Sequence, residues 1–173
     1  MEIEHIKTSI RNVPDFPKPG IQFKDITPVL QNPALFNEVI DIFYDRYKDK
    51  EIDVIVGIES RGFIFAGPLS LRLNCAFVPA RKKGKLPAKT VSAQYELEYG
   101  TDFLELHQDA FEARKNVLIL DDLLATGGTT NAVIDMVKQL RGNIIEAAFF
   151  IELVNLGGAT KCGQVGTFSI IKY

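Results

Sequence analysis

Apolar residues along the chain recur with two alternating periods. In "NPALFNEVIDIFYDRYKDK" (32–50), Phe36, Val39, Ile40, Phe43 and Tyr47 fall on one helical stripe, Asn32 stands where a cap is needed and Pro33 takes the first helical position. "IDVIVGI" (52–58) is apolar at almost every position and reads as a strand buried on both faces. A helix from Gly62 to Leu73 and a short strand over 75–79 follow. The texture then changes: residues 91–106, "VSAQYELEYGTDFLEL", alternate apolar and polar around Tyr99-Gly100, which predicts an antiparallel ribbon projecting from the main sheet. Val117 to Leu120 form another buried run. After it comes a helix with core stripe Val133, Met136, Val137 and Leu140, closed by Gly142, and then strands near 144–151 and 167–171. Strand and helix in alternation predict an α/β fold, a mostly parallel sheet flanked by helices on both faces. Ligands of such a sheet bind at the carboxyl ends of its strands.

The 173 residues suit one continuous domain, since a chain of that size buries roughly 70% of its unfolded surface and needs no metal or disulfide staple. With 46% hydrophobic and 24% charged residues, and no apolar run of membrane length, the sequence predicts a soluble protein with no membrane partner. The amino end lacks a signal-peptide pattern, and Cys75 and Cys162 stand far apart outside any CxxC spacing. Both features point to the cytoplasm and reduced thiols. A net charge of −2 argues against a nucleic-acid partner, because a duplex reader carries a strongly basic face.

The chemistry concentrates in "NVLILDDLLATGGTT" (116–130). Asp121 and Asp122 stand where the buried strand is expected to leave the core, and two adjacent carboxylates repel each other. A cation, a backbone cap or a polyol would offset that repulsion. Ala125, Thr126, Gly127, Gly128 and Thr129 then offer unshielded backbone N–H groups, two hydroxyls and the positive end of a helix dipole, which together make a phosphate cradle. The segment is not a P-loop, for no lysine follows the glycines, and the chain has no G-x-G-x-x-G. A ribose 5-phosphate satisfies both features at once, its phosphate in the cradle and its diol on the two aspartates.

These residues resemble the phosphoribosyl-pyrophosphate motif of type I phosphoribosyltransferases, and "LLATGGT" resembles the adenine-using branch. Further similar segments are "FPKPGIQFKDITPVL" (16–30), "GIESRGFIFAGPLS" (57–70), "RKKGKLP" (81–87) and "YELEYGTDFLEL" (95–106). The resemblance implies a single phosphoribosyltransferase domain over 1–173, with a small N-terminal hood over about 1–33 and a flexible antiparallel ribbon. It implies a pentosyl transfer of purine salvage, in which a nitrogen of adenine displaces pyrophosphate from C1 of phosphoribosyl pyrophosphate (PRPP) and gives AMP. Breaking the C1–O bond leaves positive charge on the ribose, which Asp121 and Asp122 on its hydroxyls would stabilise. Glu59, Ser60 and Arg61 are implied to form the pyrophosphate loop, with a cis peptide between the first two. Lys82 and Lys85 bring further cations to the leaving group, together with Mg²⁺ carried mainly by the ligand and no metal-ligand set in the protein. Phe23 and Leu123 are implied to close on the two faces of adenine, with backbone atoms around Gln22 and Lys24 reading its edge. On the ribbon, Glu98 is implied to protonate N7 as the other ring nitrogen attacks, and Tyr99 lies beside it over PRPP. Relatives are usually homodimers, which the resemblance extends to this chain. The late segment "NLGGATKCG" (155–163) departs from many relatives, with Ala159 in place of an arginine and Cys162 in place of an apolar residue.

Three rivals stand beside this reading. A serine hydrolase would need G-x-S-x-G, but "IESRG" has Ile58 at its first position, and His5 and His107 are the only histidines. A non-catalytic PRPP-binding regulator would need a DNA-binding module or a basic stripe, and the chain has neither. An enzyme of the same class could instead use hypoxanthine, xanthine or orotate; "FKDIT", "SRGF" and "LEYG" favour adenine.

Overall fold

The computed structural model describes residues 3–96 and 101–173; Glu98, Tyr99 and the expected turn at Tyr99-Gly100 lie outside them. The chain divides after Phe43 into two compact units.

The first unit contains α1 (Glu4–Ser9), β1 (Arg11–Pro14), β2 (Gln22–Asp25), α2 (Thr27–Gln31) and most of α3 (Pro33–Tyr47). β1 and β2 pair antiparallel, with Val13 opposite Phe23. Between them Asp15 adopts a left-handed φ of 56°, and its carboxylate accepts the Gly20 N–H at 2.7 Å. The α3 cap is as read from the sequence: Asn32 Oδ1 accepts the N–H groups of Ala34 at 3.0 Å and Leu35 at 3.3 Å. Val39, Ile40, Phe43 and Tyr47 on its stripe are buried.

The second unit is built on a sheet of seven strands. In chain order its elements are β3 (Val54–Ile58), α4 (Gly62–Leu73), β4 (Ala76–Lys82), β5 (Thr90–Glu96), β6 (Thr101–His107), β7 (Asn116–Leu124), α5 (Gly128–Gln139) and β8 (Asn143–Glu152). A 3-10 turn (Val154–Leu156), α6 (Gly158–Lys161) and β9 (Thr167–Lys172) complete it. The strand order is β5-β6-β4-β3-β7-β8-β9. β4, β3, β7, β8 and β9 run parallel, whereas β6 is antiparallel to β4 and to β5, so the predicted ribbon forms one edge of the sheet. α4 packs on β3, β4 and β7, and α5 on β5 through β8. Residues 54–58 of β3 and 117–120 of β7 are buried throughout, which accounts for their unbroken apolar runs.

Two strands outrun the expectation from apolar pattern. β7 does not end at Leu120: Asp121 pairs with Phe149, Leu123 with Ile151 and Leu124 with Glu152 of β8, so the acids lie on the strand and not beyond its exit. β4 continues past residue 79 to Lys82, because Arg81 and Lys82 pair with Glu105 and Leu104 of β6. In both cases the backbone ladder holds residues that polarity alone would place in a loop.

The order of connections locates a crevice. β3 leads through α4 to β4 on one side, whereas β7 leads through α5 to β8 on the other. The carboxyl ends of β3 and β7 are therefore the switch point at which a doubly wound sheet opens for ligands. Residues 59–61 leave one end, and 121–127 line the other.

One ionic cluster anchors the end of α3 to β8. Arg46 donates from Nε and Nη2 to the two oxygens of Glu146, each at 2.7 Å, and Tyr47 donates its hydroxyl to Glu146 Oε2 at 2.6 Å. The Arg46 guanidinium also stacks 4.0 Å from the centre of the Phe168 ring. Burial alone would push the Glu146 carboxyl up, but these donors hold it below the ordinary glutamate range. A depressed folded pKa adds stability that is present above the unfolded pKa and is lost as pH falls through the folded one. Glu146→Gln should therefore cost about 1–3 kcal/mol at neutral pH, with the gap in thermal midpoint from wild type closing below about pH 4. Thermal melts of both proteins across that range check it.

Candidate active site

Asp121 and Asp122 are side by side on β7, the second only 5% exposed. Asp121 Oδ1 accepts the Asp122 N–H at 2.8 Å. Asp122 Oδ2 is buried with no hydrogen-bond partner, although Arg61 Nε lies 2.8 Å away as its ion pair; the attraction is Coulombic and not an aligned hydrogen bond. Burial pushes both carboxyls above the ordinary aspartate range. The charge of Asp122 adds to the rise of Asp121, and Arg61 opposes that of Asp122. Gly62, at the start of α4, makes room for the pair: a Cβ there would lie 2.9 Å from Asp121 Oδ1 and from the Leu120 carbonyl oxygen.

Beyond Leu124 the chain passes through Ala125 and Thr126 to Gly127, whose left-handed φ of 80° turns it into α5 at Gly128. The first turn of α5 has no side-chain cap, so its N–H groups face the loop. A small cavity of about 70 Å³ is bounded by Asp121, Leu123 and residues 125–130. A larger one of about 650 Å³ adjoins it, sharing Ala125, Thr126, Gly128 and Thr129 and adding Tyr95 and Lys161. The start of α5, which has no side-chain cap, and two threonines line both, which suits an anion. A separate cavity of about 400 Å³, bounded by Asp53, Ser70, Asn74 and Cys75, lies at the amino ends of β3 and β4, away from these groups.

The loop after β3 holds Glu59, Ser60 and Arg61, and the Glu59–Ser60 peptide is cis, as the resemblance implies. Glu59 gathers the basic segment: its Oε2 accepts the Lys82 N–H at 2.8 Å and Arg81 Nε at 3.3 Å, and its Oε1 pairs with the Lys85 ammonium. Burial would raise the Glu59 carboxyl, but Lys85, the Lys82 amide and Arg81 together hold it below its ordinary range. The Lys82 ammonium lies 3.5 Å from Asp102. Thus Arg61, Lys82 and Lys85, the three cations read from sequence, each face a carboxylate of the chain itself.

Several members of this network carry no mark in the sequence. Asp102 meets Lys82 and also accepts from the Tyr95 hydroxyl at 3.2 Å; burial, reinforced by Asp102, pushes that phenol up to about 12. Glu105, buried on β6, accepts the Gly84 N–H at 3.0 Å and so holds the middle of the basic loop. Arg81 begins "RKKGKLP" with nothing in the sequence to set it apart from its basic neighbours; its register opposite Glu105 gives it a place.

In the first unit Gln22, Phe23 and Lys24 occupy β2. Gln22 Oε1 accepts from Asn12 Nδ2 at 2.6 Å, and Lys24 Nζ donates to Asn12 Oδ1 at 3.1 Å. Phe23 is half-buried, its ring edge-on to that of Phe16 with centroids 5.1 Å apart. Leu123, in the second unit, is also half-buried.

Comparison with known proteins agrees with this geometry. The phosphoribosyl transferase domain family matches residues 25–160. Adenine phosphoribosyltransferase of Chloroflexus aurantiacus is 51% identical over 173 residues, all of both chains. The crystal structure of adenine phosphoribosyltransferase from Thermoanaerobacter pseudethanolicus superposes with a TM-score of 0.96 at 48% identity, covering 99% of each chain. That from Saccharomyces cerevisiae, complexed with adenine and an imino-altritol bisphosphate, superposes with a TM-score of 0.92 at 42% identity over 96% of each. With its parallel sheet, its aspartate pair and the glycine loop that follows them, this chain belongs to the phosphoribosyl transferase family, in the branch of the adenine phosphoribosyltransferases.

Proposed function

We propose that the protein transfers the 5-phosphoribosyl group of PRPP to adenine, the C1–N bond of AMP forming as the C1–O bond to pyrophosphate breaks. The observation that carries the reading is the aspartate pair, Asp122 buried and Asp121 half-buried, leading directly into an uncapped, glycine-flanked helix start at the sheet's switch point. In this reading Ala125, Thr126, Gly127, Gly128 and Thr129 hold the 5-phosphate. The ribose diol donates to Asp121 and Asp122, and offers hydroxyl hydrogens to a buried oxygen that lacks one. As the glycosidic bond stretches, the positive charge growing on the ring draws closer to both carboxylates, so they hold the transition state more tightly than the ground state.

Glu59, Ser60 and Arg61 take the leaving pyrophosphate with Lys82 and Lys85. Arg61 passes from Asp122 toward the phosphates, and Tyr99 is assigned beside them. Gln22, Phe23, Lys24 and Leu123 are assigned to adenine, and Glu98 to proton exchange at N7; the support for these last roles is the family resemblance. Among the described residues no cluster of three or more His, Cys, Asp or Glu could hold a metal. In this reading Mg²⁺ arrives on the pyrophosphate, where it would neutralise charge on the leaving group; the support for it is the family resemblance. Two unpaired cysteines, Cys75 and Cys162, favour a cytoplasmic setting, and exposed Leu71 and Phe77 are apolar positions that a second copy in a homodimer would cover. Among the described residues no helix is long and apolar enough to cross a membrane. One domain over 1–173, with a hood over about 1–33, remains our reading of the organisation.

Incubating the protein with PRPP, Mg²⁺ and one base at a time should yield AMP and pyrophosphate from adenine, with hypoxanthine, xanthine and orotate at least about tenfold slower. AMP formation no faster than with those bases overturns the assignment. Asp122→Asn should lower turnover by about a hundredfold or more in a folded protein, since an amide cannot match a carboxylate against growing positive charge. The raised folded pKa values give the opposite sign for stability. An aspartate pushed up destabilises the fold as pH climbs from the unfolded value, about 4, through the folded one, so Asp121→Asn should melt higher than wild type at neutral pH and equally near pH 4. For Glu98→Gln, single-turnover chemistry should slow by about a hundredfold with PRPP affinity unchanged, and a wild-type rate would remove its proton role.

A further inference from the structure

The segment after β8 folds back onto the phosphate loop. The Leu153 N–H donates to the Leu124 carbonyl at 2.9 Å, and the 3-10 turn then leads to Gly157, whose φ of 66° opens α6. Gly158 is buried against two residues of the loop at once. A Cβ on Gly158 would overlap the Ala125 carbonyl oxygen and come within 2.9 Å of the Leu124 side chain. From the other side, a Cβ on Gly127 would lie 2.6 Å from the Gly158 carbonyl oxygen and 3.1 Å from its Cα. Behind this contact the Cys162 thiol, 3% exposed, donates to the same Gly158 carbonyl at 3.5 Å.

The Leu124 side chain apart, the atoms that meet here are backbone, so no rotamer change can clear the overlap with the Ala125 and Gly158 carbonyl oxygens. The Ala125 carbonyl and the Thr126 N–H share one rigid peptide plane, as do the Thr126 carbonyl and the Gly127 N–H. Whatever moves the Ala125 oxygen swings the Thr126 N–H, and whatever moves Gly127 tilts the start of α5. Both are donors assigned above to the 5-phosphate.

We propose that Gly158, backed by Cys162, is a positioning residue for the 5-phosphate: its bare backbone fixes the peptide planes of the loop from Ala125 to Gly127 in the orientation that binds the anion. This rests on the reading of that loop as the phosphate site. Gly158 touches no substrate; it acts through the loop.

The test compares wild type, Gly158→Ala and Cys162→Ala by calorimetric titration with ribose 5-phosphate and by steady-state kinetics in both substrates. Gly158→Ala should raise the ribose 5-phosphate Kd and the KM for PRPP by about tenfold or more, leaving the KM for adenine within about twofold. Cys162→Ala, which removes only the backing contact, should shift the first two by about threefold in a fully folded protein. If wild type fails to bind ribose 5-phosphate, the phosphate-site reading itself falls. If wild type binds it and both folded variants match it, or both KM values rise in proportion, the positioning role is overturned. Should Gly158→Ala not fold, an unshifted Cys162→Ala overturns the role and a shifted one sustains it.

Discussion

Two carboxylates on consecutive residues of a buried strand cannot escape each other, and the rest of the site is arranged around that constraint. The ladder to β8 resumes on both sides of Asp122, so the backbone does not let the acids swing out to water. Backbone N–H groups and Arg61 compensate in part, yet both carboxyls stay above the ordinary aspartate range. The pair is thus a cost to folding. A cost of this kind persists where function uses it. On the proposed reading a sugar diol would relieve it, because it brings two O–H donors to acids that lack enough of them.

The sheet topology turns that local tension into a site. Because β3 and β7 send their crossovers in opposite directions, the space above their carboxyl ends is left open by helices. The same divergence sets a helix start beside each strand end. α4 begins at Gly62, against Asp121, and α5 begins at Gly128, past the glycine turn. Sugar, phosphate and leaving group can then be met by three short segments whose positions are dictated by neighbouring strands of one rigid sheet.

Much of this was legible from residue order, and the failures have physical causes. α3, α4 and α5 were visible because an apolar stripe and clear start signals mark them, and Asn32 caps α3 as its type suggested. β1, β2, α1 and α2 are too short to show a period, so within the first unit only α3 is legible from periodicity. Polarity alone ends β7 at Leu120, whereas its ladder to β8 carries Asp121 and Leu124 onward. The aspartates and the glycine loop stood out since their chemistry is concentrated in one contiguous stretch. Asp102 and Glu105 did not, for their roles come from cross-strand neighbours in β4 and β5 and from the basic loop. Gly158 had a signal, the second glycine pair of the chain in "NLGGATKCG", but its meaning depends on a contact with Gly127 across the fold.

Arg61, Lys82 and Lys85 each lie beside a carboxylate of the chain itself, Asp122, Asp102 and Glu59. On the assignment proposed above, a phosphate reaching these cations would compete with those acids for them. Paired in this way, the three cations present less unopposed charge to a stray polyanion. A molecule that also satisfies those acids would recover what the competition gives up. On the same assignment, pyrophosphate freed from the sugar would meet those carboxylates as rivals for the cations that hold it.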